Sequence, residues 1–298
     1  MRPTVCAQSR PPAKPATRAS LCDCPTFNQL LDFTEQAFGF SCIEDMTAIV
    51  DTDVLSRKSL LGRLLRAPLT LVPASKPVRI LTGKARGLRW IPESAIHRCW
   101  MGWYESDKQR LMAKEVRPGS VFYDVGANVG FHTLLAAKLV GSGKVFAFEP
   151  SPRNLEYLKR HIALNNLHNV SVFETAVSDR DDVLQFQLER TGFGGSLSDR
   201  GGGIDVNSVT LDALITGRKI PPPDYIKMDI EGAELLALRG AEHLLRAHHP
   251  EIFLATHGHE VDRECCQLLE SLGYRIDRLS PSAPNGYGEV LAKFRDRS

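Results

Sequence analysis

Val121-Phe-Tyr-Asp-Val-Gly-Ala-Asn-Val-Gly130, followed by Phe131-His-Thr-Leu-Leu-Ala-Ala-Lys138, decides how this chain is read. An apolar run ends in Asp124, glycines stand at 126 and 130, and a helix begins after the second. Glycine has no Cβ and accepts φ > 0, so this turn lets backbone amides approach a ligand closely. The helix start adds unpaired N–H groups and the positive end of its dipole, which suit an anionic ligand group. The pattern predicts a nucleotide-type site at the end of a strand.

Glycine spacing narrows the ligand. A dinucleotide turn needs Gly-x-Gly-x-x-Gly and a phosphate loop needs Gly-Lys-Ser/Thr. The chain has Asp-x-Gly-x-x-x-Gly with no lysine in the turn, which argues for a ligand without a polyphosphate and against a nicotinamide dehydrogenase. The next apolar run, Lys144-Val-Phe-Ala-Phe-Glu149-Pro150, ends in an acid roughly twenty residues on, where such folds place a carboxylate on ribose hydroxyls.

Beyond Pro77 the texture is that of strands and helices in alternation. Val78–Thr82 and Leu88–Ile91 read as a hairpin, with a helix near 105–115. Strands are expected near 121–125, 144–149, 170–174, 224–229 and 251–256, with helices near 130–140, 152–165, 233–247 and 260–272. This predicts a mainly parallel sheet with helices on both faces. Gly273–Asp277 and Gly288–Phe294 are strands joined by a turn-rich loop without a crossover helix, so they must run antiparallel. The stretch Thr191–Gly203 is too rich in glycine to predict regular structure.

Taken together, Tyr123-Asp-Val-Gly-Ala-Asn-Val-Gly130 and Phe146-Ala-Phe-Glu-Pro150 resemble the FkbM family of S-adenosylmethionine-dependent methyltransferases. Further segments match in order: Trp100–Glu105, Ala176–Asp179, Val209–Leu214 and Ile226-Lys-Met-Asp-Ile-Glu-Gly-Ala-Glu234, over roughly residues 79–280. The resemblance implies a class I, Rossmann-like α/β domain: a seven-stranded, mainly parallel sheet flanked by helices, with an antiparallel last strand.

The same resemblance implies where S-adenosylmethionine binds. Gly126, Ala127, Asn128 and Gly130 carry the turn against its methionine portion, with Thr133 beside them. Asp124 organises the loop or meets the amino group. Glu149, next to Pro150, accepts from the ribose, and Ala176 and Val177 floor the adenine. Glu105, in the segment expected over the pocket, and Asp229, at the end of the fourth strand, complete the cofactor set. Methyl transfer to a hydroxyl also needs a proton acceptor, and Asp229, His257 and His259 are the catalytic candidates. Where the family often carries a glutamate near His257, this chain departs from it. Asp229, Glu231 and His257 resemble divalent-metal ligands, but two acids and a histidine do not define a magnesium site, and no metal is expected.

The expected activity is O-methylation of a sugar or small secondary metabolite. The alternative is a non-catalytic module that binds S-adenosylmethionine and regulates a partner. At 298 residues and a formal charge of +2, the chain lacks the clustered basic charge of a nucleic-acid binder. Seven scattered cysteines and no apolar run approaching ~20 residues suggest a cytoplasmic protein without a membrane span. Residues 1–25, basic and proline-containing, are expected to be a disordered tail, residues 26–76 a helical lead-in, and residues 77–298 the methyltransferase domain. Oligomeric state is not legible.

Overall fold

The computed structural model describes residues 72–188, 195–197, 203–279 and 286–295. The expected tail, and the lead-in up to residue 71, lie outside the described residues. A short hairpin pairs β1 (Val78–Arg79) with β2 (Arg89–Trp90), and helices α1 (His97–Met101) and α2 (Ser106–Glu115) follow. The main run is β3 (Val121–Val125), α3 (Phe131–Val140), β4 (Lys144–Phe148), α4 (Pro152–Leu164) and β5 (Val170–Phe173).

Next come β6 (Ala176–Val177), β7 (Asp182–Leu188), β8 (Gly195–Leu197), β9 (Ile204–Val209) and α5 (Leu211–Thr216). The chain returns through β10 (Tyr225–Met228), α6 (Glu234–Arg239), α7 (Glu242–His248), β11 (Glu251–His257), α8 (His259–Ser271), β12 (Tyr274–Arg278) and β13 (Tyr287–Phe294).

Seven strands form the central sheet in the order β12-β13-β11-β10-β3-β4-β5. The pairs among β11, β10, β3, β4 and β5 are parallel, while β13 runs antiparallel to both β11 and β12. This is the class I, Rossmann-like architecture with a reversed last strand. Alternation along β3 assigns its faces. Tyr123 and Val125 pack with Ile226, Met228, Leu238, Leu244 and Leu269, whereas Phe122 packs with Met112, Leu135 and Val140. With both faces covered, β3 tolerates almost nothing but apolar residues. Asp124, fully buried on the Phe122 face, is the exception.

Register sets the site. Val125 pairs with both Phe148 and Met228, so β3, β4 and β10 end level and their loops emerge together at one sheet edge. The chain turns away in opposite directions from β3 to β4 and from β3 to β10, which makes this the crevice where open α/β sheets bind ligands.

Two elements differ from the sequence reading. The single helix expected at 233–247 is two, interrupted at Gly240 and Ala241, where the chain passes so close to Ser178 that a Cβ on Gly240 would lie 2.0 Å from its carbonyl oxygen. The Asp212 carboxylate caps the new start, accepting from His243 N–H at 2.9 Å and Leu244 N–H at 2.7 Å. Within the glycine-rich stretch, Gly195–Leu197 pairs with β7 in a second sheet of order β6-β9-β7-β8.

Candidate active site

Gly126 opens the turn after β3 with φ +79°, and a Cβ there would lie 2.0 Å from the Asp229 carbonyl oxygen. Its N–H and that of Ala127 both donate to the Phe148 carbonyl, at 3.0 and 2.9 Å, which ties the turn to β4. Asn128, also left-handed at φ +50°, donates its N–H to Glu149 Oε2 at 2.8 Å. Glu149 Oε1 accepts from Ser151 N–H at 2.8 Å and Asn154 Nδ2 at 3.4 Å. Burial pushes this carboxyl up, against the backbone N–H groups that favour its ionised form. Glu149 therefore shapes the turn as well as facing the cavity, and its oxygens retain lone pairs for further donors.

Beneath the turn, Asp124 Oδ2 accepts from Thr133 Oγ1 at 2.6 Å, and Lys227 Nζ lies 3.3 Å from Oδ1. Lys227 also donates to the Gly126 carbonyl at 2.7 Å. A lysine inside the apolar run Tyr225–Met228 is the signal that could have flagged this role in the sequence, where Lys227 was passed over.

The cavity beside the turn is lined by Gly126, Ala127, Asn128, Glu149, Pro150 and Asp229, among others, with Ala176 and Val177 on its wall. Asp124, Gly130 and Thr133 do not line it and support the turn from behind, and Glu105 does not line it either, although its neighbour Tyr104 does. Sequence reasoning missed Ile96, Cys99 and Phe186, which complete an apolar wall. Phe186 comes from β7, whose alternation of Leu184, Phe186 and Leu188 with polar residues was legible.

Glu105 begins α2 with φ +45°. The preceding Tyr104 lines the cavity and packs edge-on against Phe131, ring centres 5.3 Å apart. Gln109 holds this segment down, its Nε2 donating to the carbonyls of Gly102 at 3.0 Å and Tyr104 at 2.6 Å. Lys108, almost fully buried, joins three carboxylates: Glu105 at 2.5 Å, Glu289 at 2.8 Å and Asp229 at 3.8 Å. Burial opposes ionisation of Glu105, but His132 and Lys108 outweigh it and hold its carboxyl at about 2. Burial also works against the Lys108 charge, and Asp229 and Glu105 more than restore it.

At the far end the cavity is lined by Asp229, Ile230, Glu231 and Ala233, and His257 of β11 and Glu234 of α6 stand behind this wall without lining it. His257 Nδ1 lies 3.0 Å from Oε1 of the fully buried Glu234. Its Nε2 lies 3.3 Å from Glu231 Oε2 and 3.8 Å from Asp229 Oδ1. Burial alone would lower the His257 pKa; the Glu234 hydrogen bond and the Asp229 and Glu231 charges raise it instead. Asp229 is lowered, since Lys227 and Lys108 overcome the cost of its burial. The structure thus brings Asp229 and His257 together, while His259 opens α8 on an exposed position outside the cavity lining.

The methyltransferase FkbM domain profile matches residues 124–276, just over half of the chain. Hexuronic acid methyltransferase AglP of Haloferax volcanii is 26% identical over 144 residues, 48% of this chain and 59% of that protein's length. 31-O-demethyl-FK506 methyltransferase FkbM of Streptomyces tacrolimicus is 29% identical over 198 residues, 54% of this chain and 75% of its own. The crystal structure of methyltransferase FkbM from Methylobacillus flagellatus KT matches at 20% identity and a TM-score of 0.42, over 59% of this chain and 44% of that one. With the family's domain spanning the glycine turn, Glu149 and the Asp229–Glu234 segment, the chain belongs to the FkbM methyltransferase family.

Proposed function

We propose that residues 77–298 catalyse S-adenosylmethionine-dependent O-methylation of a small hydroxyl acceptor, a sugar or secondary metabolite. One observation carries this reading: the Gly126 turn packs directly on the Asp229 backbone, so a cofactor-type turn and the carboxylates of Asp229 and Glu231 share one cavity. The residues fit the cofactor. Gly126 makes a close approach to Asp229 that a Cβ would forbid, Glu149 has acceptor capacity for ribose hydroxyls, and Ala176 and Val177 offer a small apolar floor.

When bound, the cofactor supplies an electrophilic methyl group, so the protein's tasks are alignment and removal of one proton. Asp229 and Glu231 line the end of the cavity where an acceptor hydroxyl would lose that proton, with His257 behind them at 3.8 and 3.3 Å. Lys108 and Lys227 keep Asp229 ionised for the purpose. The acceptor class is supported by the names of the two relatives, which specify a hexuronic acid and a demethylated FK506.

The test is transfer of tritiated methyl from S-adenosylmethionine to a panel of hexuronic acids, glycosides and hydroxylated macrolactones, with amines and RNA as controls. Label in an alkali-stable ether on a hydroxyl acceptor is expected. Label confined to amines or RNA would contradict the reading.

A further inference from the structure

We propose that Ile96 and Phe186 are the two faces of a slot that grips the nucleobase of the cofactor. The slot rests on the proposed S-adenosylmethionine site and adds two specificity-determining side chains to it, both from outside the seven-stranded sheet.

Each is carried on a fixed backbone. Phe186 belongs to β7 and is buried in one cluster with Ala176 and Val206, with Ile204 packed against them. It stands opposite Ile204 of β9 and Leu197 of β8, so its strand is paired on both sides. Ile96 immediately precedes α1, whose Cys99 and Trp100 are buried, and its carbonyl accepts from Cys99 N–H at 3.1 Å. Two residues earlier, the Ser94 carbonyl accepts from Arg153 Nη2 of α4 at 3.2 Å, which ties this segment to that helix.

The sheet separates the two side chains. Phe146 and Phe148 of β4 belong to the same cluster as Tyr123 and Val177, whereas Ala147, between them, shares a cluster with Leu155 and Leu158 of α4. Ile96 follows the segment held by α4, and Phe186 packs on Ala176, the neighbour of Val177. They therefore reach the cavity from opposite layers. Glu149 and Thr175, just beyond β4 and β5, line the cavity with them. A gap between two apolar faces at the ends of adjacent strands fits a flat ring.

Position in the sheet favours the base over the acceptor as the occupant. Asp229 follows β10 and Thr175 follows β5, and the order β10-β3-β4-β5 puts these strands on opposite sides of the glycine turn. Exposure agrees. Among the described residues three large apolar side chains are exposed, Ile96, Val183 and Leu279, and of these Ile96 alone lines the cavity. Covering it with a ring removes apolar surface from water, and an aromatic ring such as Phe186 stacks on the face of a base.

The test is calorimetric binding by the full chain of S-adenosylhomocysteine and of 5′-methylthioadenosine, which keeps the base and ribose but lacks the amino-acid end. Phe186→Ala is expected to weaken both ligands by the same factor, about tenfold, and Ile96→Ala to weaken both about threefold. Ile96 is 43% exposed, so its variant carries the test if Phe186→Ala fails to fold. Wild-type affinity for S-adenosylhomocysteine in the folded variants, or a loss that 5′-methylthioadenosine does not share, overturns the slot and leaves the cofactor reading standing. No binding of S-adenosylhomocysteine by the folded wild type defeats the cofactor reading, and the slot with it.

Discussion

Glu234 Oε1 meets His257 Nδ1 at 3.0 Å, and the same oxygen accepts two backbone N–H groups from the 230–232 loop. One fully buried carboxylate therefore fixes both an imidazole and the backbone that carries Glu231. Left-handed backbone at Glu231 and Gly232, φ +55° and +104°, is maintained by those bonds.

Glu234→Ala should cost about 2–4 kcal/mol of unfolding free energy, because charge-assisted hydrogen bonds contribute about 1.5–3 kcal/mol each and the loop donors would be left unpaired. Glu234→Gln keeps one acceptor oxygen and should cost less. Urea denaturation of the two variants checks this; an alanine variant as stable as the parent would contradict it.

Gly126→Ala and Gly87→Ala form a matched pair. Both positions have positive φ, but nothing lies within 4 Å of a Cβ at Gly87, whereas one at Gly126 would press on Asp229. Gly87→Ala should cost about 1 kcal/mol, the left-handed backbone penalty alone. Gly126→Ala should cost more and abolish S-adenosylhomocysteine binding, measured by calorimetry. Retained ligand affinity would mean that the turn is not the binding element.

Glu149→Ala removes a carboxylate that meets two backbone N–H groups and lines the cavity. Affinity for S-adenosylmethionine should fall by about 1–3 kcal/mol, with a lower melting temperature from the freed turn. Affinity unchanged from wild type would remove Glu149 from the ligand site.

Acidification should destabilise the fold. His161 Nε2 accepts from Ile91 N–H at 3.0 Å and its Nδ1–H donates to the Val129 carbonyl at 2.7 Å, a pair of bonds open only to the neutral ring. Burial lowers both His161 and His132 from 6.5 to about 4. Between those values the unfolded chain binds more protons, so stability rises with pH across the window and is lost as pH falls. His257, raised rather than lowered, contributes a constant amount below 6.5. Each lowered histidine should remove about 2 kcal/mol by pH 5. Guanidinium denaturation at pH 7 and pH 5 reads this directly; equal or greater stability at pH 5 would contradict it.

Much of the domain was legible because its signals are local. The sheet strands through Phe122, Phe146, Val172, Ile226 and Phe253 are short apolar runs bounded by turn residues, and their limits agree with the structure to within one or two residues. The glycine turn and Glu149 were legible for the same reason. What escaped depends on contacts distant in sequence. Nothing near Gly240 announces its close approach to the Ser178 carbonyl, and nothing in Ser106–Glu115 says that Lys108 will meet Glu289. His257 was expected beside the crevice and lies 3.8 Å from Asp229, yet its orientation by Glu234, 23 residues away, emerges only from folding. The strands Asp182–Leu188 and Ile204–Val209 were a different case: apolar residues alternate in both, but neither was assigned, and only the glycine-rich stretch between them was read.

Titration of the purified chain with S-adenosylmethionine, S-adenosylhomocysteine and NAD in a calorimeter tests the central claim most directly. The account predicts one saturable site for the two sulfur compounds, lost in Gly126→Ala, and no heat from NAD. Binding of NAD, or no binding of either sulfur compound by a folded protein, would contradict it.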